Sequence, residues 1–253
     1  MKRIGTVPDP TPGLGEYLDS VDNANWEEFR SHDAGASLRE LRGTLARNQH
    51  GLCAYCEIGL KEPRLQIEHV VPRSGDAARE QRALDIANMV ACCMGGTVRV
   101  ASPQGQERDD YFRTPVRDNM SCGQAKGNRR DEAFLDPREL PEYPSLVRVR
   151  GNGLLEVDDG ACQAAGVPPH RVGRTIEILN LNAERLQLAR QKWRSDLVEA
   201  AQRAGEADGM IAWIRAVLTP DPDGRLSRFF TTSRCYFGPV AERILDEQPR
   251  AWI

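Results

Sequence analysis

Five of the chain's seven cysteines fall between residues 53 and 122, as Cys53-Ala-Tyr-Cys56, the adjacent pair Cys92–Cys93, and Cys122. Few folds accommodate that concentration of thiols. The cysteine count is odd, and the opening MKRIGTVPDP lacks the apolar stretch of an export signal. A reducing compartment, the cytoplasm, is therefore expected, with metal ligation in place of disulfides. Two thiolates at CxxC spacing grip one ion from a tight turn, and two more close a tetrahedron of the structural kind. Cys122 and either Cys93 or Cys92 are the candidates for the second pair. Buried free thiols explain a lone CxxC equally well, but less well once two further cysteines follow. Cys162 and Cys235 stand apart and read as ordinary buried thiols.

Composition narrows the classes. With 253 residues, 40% hydrophobic and 28% charged, the chain can build one large domain or two small ones around a real core. A net charge of -3 is not that of a basic nucleic-acid coat protein, so any nucleic-acid contact must come from a local basic surface or a partner. No apolar run reaches membrane-spanning length, so no membrane association is expected.

Residues 1–20, rich in Pro and Gly, are expected to be extended. Leu38, Leu41 and Leu45 form a helical stripe within 23–49, with Ser37 as N-cap and Gly51 as the stop. Two β-like runs follow, Leu52–Ile58 and Leu65–Val71, then a short helix at Ala77–Ile86 and a tight loop or short strand at Asn88–Cys93. Residues 94–121 look like an insertion. A helix is predicted from Ser121 or Cys122 with Gly127 inside it. LVRVR and LLEVD around Gly151-Asn152-Gly153 predict a hairpin at 146–158. From Pro168 the pattern is helical: 175–181, 183–203, 206–218 and 237–247.

Between the halves of the thiol set stands Glu68-His69, at the end of an apolar run and before Pro72 and Ser74. An acid beside a histidine is common, and a lone histidine is more often structural. Placement inside the cysteine framework gives this one weight. His32, His50 and His170 lack such company and read as structural or surface residues.

Taken together, CAYC, the EH of IEHVVPRS, Asn88, the later cysteines and Lys126 resemble the HNH nuclease superfamily, over roughly residues 50–130. WEEF, KGN, FLDPR and IEILNLN extend the similarity over most of the chain to the PtuB-like HNH subunit of Septu and retron-associated anti-phage systems. The resemblance implies an α+β fold: a small ββα-metal HNH core with a structural zinc knuckle, surrounded by a mostly helical N-terminal segment and C-terminal region. The domains would be an arm and helix at 1–49, the nuclease core at 50–137, and a hairpin with helices at 138–253. It selects Cys93 over Cys92, since Asn88 lies five residues before it, giving Cys53, Cys56, Cys93 and Cys122 as Zn²⁺ ligands.

The same resemblance implies roles. His69 is the general base, and Glu68 binds a catalytic Mg²⁺ or similar divalent cation that stabilises the leaving 3′ oxygen. Asn88 orients His69, and Lys126 steadies a phosphate. The sequence departs from the family pattern at Gly123, where many members carry His or Asn after the last cysteine. Gln124 or Asn128, four apart on one helix face, would then complete the metal shell. Arg73, Arg129 and Arg130 are candidates for phosphate contacts, with a solvated helix face as the alternative for the last two. The implied substrate is nucleic acid, DNA first and RNA second, and the implied partner is an SMC/ABC-type, PtuA-like ATPase in a hetero-oligomer. Trp193, Trp213, Ile214, Phe229, Phe230 and Tyr236 are core or a docking surface for it. A zinc-ribbon binding module without catalysis is the competing reading.

Overall fold

The computed structural model describes residues 1–61, 64–75, 82–97, 117–204, 207–247 and 252–253. Residues 77–81 of the expected helix at 77–86 lie outside them, and 82–86 are a turn leading into a 3-10 segment and not an α-helix; most of the expected insertion at 94–121 also lies outside them. The fold is mixed α/β, mostly helical, with two small sheets.

The first 20 residues are not extended throughout. Pro12–Ser20 is a helix (α1), because Thr11 accepts a hydrogen bond from the Leu14 amide and Pro12 occupies the first turn, where a missing N–H costs nothing. After a short helix at Trp26–Phe29 (α2) comes Ala36–Asn48 (α3), whose stripe of Leu38, Leu41 and Leu45 is buried. Ser37 is inside α3 and not its cap. Its amide and hydroxyl are both taken by the Asp33 carboxylate. Past the helix, the buried Gln49 amide donates to Leu52 O and Ala91 O and accepts from the Ala91 amide, at 2.9, 2.8 and 2.7 Å. One side chain thus fastens α3 to both parts of the thiol framework.

Leu52–Ile58 is a tight turn and not a strand. Cys53 N donates to Ile58 O at 2.9 Å, and a single bridge joins Leu52 to Gly59. The reason is geometric: residues three apart on a strand point to opposite faces, and Cys53 and Cys56 must face the same way. The second run gives strand β1, Leu65–His69, antiparallel to β2, Met89–Cys93, in the register Leu65 with Cys93 and His69 with Met89. β1 ends at His69, two residues earlier than expected, because Asn88 takes over the backbone bonding of Val70 and Val71.

A helix does begin at Cys122, but it stops at Lys126, and Gly127 (φ 54°) terminates it. The hairpin forms between β3 (Val147–Val149) and β4 (Leu155–Val157). In its turn, Gly153 has φ 81° and lies directly on the backbone of Gln187, where no side chain fits. Helices follow at Asp159–Ala164, Pro169–Ile178, Glu184–Arg203, Ala207–Leu218, Phe230–Phe237 and Pro239–Asp246. The larger buried cluster joins α1–α3, the turn, both strands of the first sheet and the 169–178 helix, and a smaller one gathers Leu218, Phe230, Ile244, Leu245 and Trp252. Ile214, Phe229 and Phe230 are buried in the core, Trp193 and Trp213 pack partly buried against it, and Tyr236 is partly buried. Among the described residues no helix is long and apolar enough to cross a membrane.

Candidate functional site

The β1–β2 hairpin carries one cluster at each end. At the Leu65–Cys93 end, the sulphurs of Cys53, Cys56, Cys93 and Cys122 all lie within 4.8 Å of one another, and all four residues are buried. Cys56 and Cys93 are 3.7 Å apart and Cys53 and Cys122 3.9 Å. Four thiolates about 2.3 Å from a Zn²⁺ would stand about 3.8 Å apart at tetrahedral corners, so the set fits such an ion. Cys92 Sγ is 3.9 Å from Cys53 Sγ yet does not join the mutually adjacent four.

The surroundings suit thiolates. The Cys93 amide points at Cys53 Sγ, the Gly95 amide at Cys93 Sγ and the Ser121 hydroxyl at Cys122 Sγ, each at 3.4 Å. Burial raises the Cys56 and Cys122 thiols well above the usual range, while the Cys122 thiol beside it draws Cys93 down to about 5. A cation removes that conflict by deprotonating all four. A zinc tetrathiolate would carry a net double negative charge, and two buried guanidiniums stand near it. Arg185 donates to Ser121 Oγ, the group bonded to Cys122. Arg190 donates to Gly153 O and Leu181 O, and burial lowers its pKa to about 10 against the attraction of Cys56, Glu57 and Cys122.

At the other end sits His69, 7% exposed. Its Nε2 is 2.9 Å from the Ala83 carbonyl, and its ring meets Trp26 edge-on with centroids 4.6 Å apart. A carbonyl only accepts, so the neutral ring carries its proton on Nε2 and its lone pair on Nδ1. Burial, then the charges of Arg73 and Lys126, lower the His69 pKa to about 4, opposed only by the Ala83 bond. Arg73 lies over Trp26 at 5.5 Å and pairs with Glu27 at 2.7 Å.

Asn88 does not touch the imidazole. Its Oδ1 accepts from Val71 N at 2.8 Å, and its Nδ2 donates to Val71 O at 3.0 Å and Arg82 O at 3.1 Å. It therefore fixes the strand exit and the segment beside Ala83, and reaches His69 only through them. Lys126 is 2% exposed, with Nζ 2.7 Å from Glu68 Oε1 and 2.9 Å from the His69 carbonyl, so its ammonium locks the end of β1 in place of facing a free phosphate. Burial raises the Glu68 pKa against the opposing charge of Lys126.

The oxygen donors expected of a magnesium site do not gather. Gln124 donates to Gln66 Oε1 at 3.0 Å, and Asn128 lies past the end of the helix, on no common face with it. Gly123 is packed against Glu68, and a Cβ there would overlap Oε2. The departure from pattern at Gly123 thus makes room for the Glu68 carboxylate. Lys126 already neutralises Glu68, and neither Gln124 nor Asn128 joins it, so the residues expected to hold Mg²⁺ do not, as described, fit a resident ion. Among the described residues the four cysteines are the one group of three or more His, Cys, Asp or Glu donors close enough to hold a metal.

Arg129 is absorbed in capping two helices, donating to Lys126 O and Ala125 O of the preceding helix and to Ile178 O at the end of the 169–178 helix. Arg130 is exposed and lines a cleft of about 440 Å³ with Arg82, Arg138, Asn88 and Asp131. His50 holds Gly224 O and Ile253 O, His32 meets the Tyr17 ring tilted at 56°, and His170 is exposed. Sequence reasoning missed the Ala83 carbonyl, Gln49, Arg185, Arg190 and Glu57, whose buried carboxylate holds Thr231 at the start of the 230–237 helix. A glutamate directly after CxxC was the one readable signal among them.

No family model matches the chain. It is 31% identical over 214 residues to "Retron Ec83 putative HNH endonuclease" of Escherichia coli, a match covering 76% of this chain and 78% of that protein. It is also 28% identical over 171 residues to "Retron Vc95 putative HNH endonuclease" of Vibrio cholerae serotype O1 biovar El Tor, covering 66% and 69%.

Proposed function

The chain belongs to the family of retron HNH endonucleases that these relatives represent, and from that membership we propose that it hydrolyses phosphodiester bonds of nucleic acid with His69 as general base. The core of the proposal is a ββα unit made of β1, β2 and the Cys122–Lys126 helix, within residues 50–137, braced by 1–49 and by the hairpin and helices of 138–253. The observation that carries it is the fixed tautomer of His69: Nε2 held on Ala83 O leaves Nδ1 as the acceptor. With a pKa of about 4 the ring is neutral at physiological pH. It is a weak base when the site is empty, and the negative charge of a phosphodiester beside it raises that basicity.

In the proposed step a water gives a proton to Nδ1 while its oxygen bonds to phosphorus. The bond to the leaving sugar oxygen breaks, and that oxygen takes a proton from solvent. Lys126 and Glu68 act by position: the ammonium ties the carboxylate to the His69 backbone, so the ring leaves β1 at a fixed angle. Arg73 and Arg130 would meet phosphate in this reading. Zn²⁺, bound by Cys53, Cys56, Cys93 and Cys122, would supply cross-linking alone, since a closed tetrathiolate offers no open position.

The wider reading is an effector of anti-phage defence, working in the cytoplasm on DNA with an SMC/ABC-type, PtuA-like ATPase in the manner of Septu. Its support is the similarity of WEEF, FLDPR and IEILNLN to PtuB-like subunits, and the retron naming of the relatives. The test is cleavage of DNA and RNA by the purified chain, alone and with such an ATPase, against His69→Ala. Loss of cleavage in the variant is expected. Equal cleavage would favour the binding-module reading, to which the neutralised Glu68 lends some support.

A further inference from the structure

Beyond the sulphur end of the hairpin lies a second cavity, of about 280 Å³, bordered by Lys61, Arg64, Arg185 and Arg228 around the Gly95–Gly96 turn. Its described lining contains no Asp or Glu. Arg185 is 1% exposed, and its hydrogen-bond partners among the described residues, Asn119 O and Ser121 Oγ, are both neutral. Arg228 lies over Trp193 at 5.2 Å, and its ion pair with Asp196 is long, at 3.6 Å. Gly95 and Gly96 both adopt left-handed backbone, with φ 58° and 82°. The Gly95 amide is spent on Cys93 Sγ. The amide of buried Gly96 meets no protein acceptor among the described residues. Buried amides without acceptors are rare, and glycine turns that present them cradle anions. A side chain at Gly96 would overlap Arg185 Nε, so glycine there keeps the guanidinium beside the amide.

We propose that this cavity is a phosphate-binding subsite for the nucleic-acid strand whose scissile bond lies at His69. The inference rests on the nuclease reading and adds a second anchoring point to it. Cys93 and Met89 stand at opposite ends of β2, and Met89 pairs with His69. Four residues of strand put its two ends about 13 Å apart. That is roughly four nucleotides of a stacked strand at about 3.4 Å of rise each. A phosphate held there fixes the register of the strand at the base without reading its sequence. Its cations also give a chain of net charge -3 the local basic surface that nucleic-acid binding needs.

The test uses the full chain carrying His69→Ala, so that bound strands stay intact. Its affinity is measured by fluorescence anisotropy, over a range of salt, for DNA strands of about four and about twelve nucleotides. The same is done after adding Lys61→Gln and Arg64→Gln, with zinc content and circular dichroism verifying the fold. The longer strand is expected to bind the parent roughly tenfold more tightly than the shorter. The added pair should erase that advantage and lower the salt slope by about 0.7 per lost phosphate contact. An advantage that survives the pair overturns the proposal. So does a free mononucleotide that binds as tightly as the long strand, because the cavity would then serve a small ligand. Failure of the parent to bind either strand contradicts the nuclease reading itself and removes the subsite with it.

Discussion

One hairpin presents two ends built on opposite principles. At the Cys93 end four like donors converge from three segments far apart in sequence, and backbone amides, a hydroxyl and two buried guanidiniums surround them. Every valence is met by the chain itself. At the His69 end Glu68 is bound to Lys126, and the base keeps one nitrogen out of the network. A closed set of ligands holds a fold together and leaves a bound metal no open position for chemistry. An imidazole with one nitrogen uncommitted does offer one.

The sharpest way to break this comparison is at sulphur. Cys93→Ser should reduce zinc from about one per chain to near none and abolish cooperative unfolding, because structural zinc binding is itself folding energy of about 10 kcal/mol or more. Cys92→Ala, one residue away, should keep zinc and cost about 1–2 kcal/mol in denaturant titration, as for a small buried apolar group. Equal effects would mean that the two cysteines share the site.

Lys126→Met tests the other end. It leaves Glu68 with a carboxylate mostly out of water and no counter-charge, and should cost about 3 kcal/mol, with part recovered by adding Glu68→Gln. If Lys126 served only to touch substrate, stability would hardly change. Asn88→Ala removes three hydrogen bonds that tie the strand exit to the Arg82–Ala83 segment, and should cost about 2 kcal/mol. Its cleavage rate should fall too, because Ala83 then holds His69 less firmly.

pH gives a subtler discrimination. Because the folded His69 pKa is lowered to about 4 from 6.5, chiefly by burial, the unfolded chain takes up a proton between those values that the folded chain refuses. This histidine's contribution to stability is therefore intact above pH 6.5 and lost as pH falls toward 4. His69→Gln should flatten the stability profile in that window. Smallest of all, Arg130→Ala should leave stability within about 0.5 kcal/mol and change only the salt dependence of nucleic-acid binding.

The sulphur end was legible because its signal is covalent identity at fixed spacing: CxxC, then two more thiols. Of the β-like runs, Leu65–Val71 holds β1, but Asn88–Cys93 read equally as a loop, and its pairing with β1 was not legible. The His69 end was legible in its parts but not in its connections. Asn88 was read as the partner of the imidazole and instead bonds backbone, since nothing in a sequence says which of several nearby acceptors an amide will find. Gln124 and Asn128 were placed on one helix face, but Gly127 ends the helix between them. α1 was missed because Pro and Gly suggested extension, although Pro12 after Thr11 is a helix start. Arg185 and Arg190 carry no motif, and their burial depends on a thiol cluster more than sixty residues earlier in the chain.

The separation of the two ends is tested most directly by metal analysis of the purified wild-type chain beside His69→Ala. About one zinc per chain is expected in both, since the four thiols lie at the far end of the hairpin from the base. Absence of zinc from the wild type, or its loss on removing the imidazole, would contradict the division of labour proposed for this hairpin.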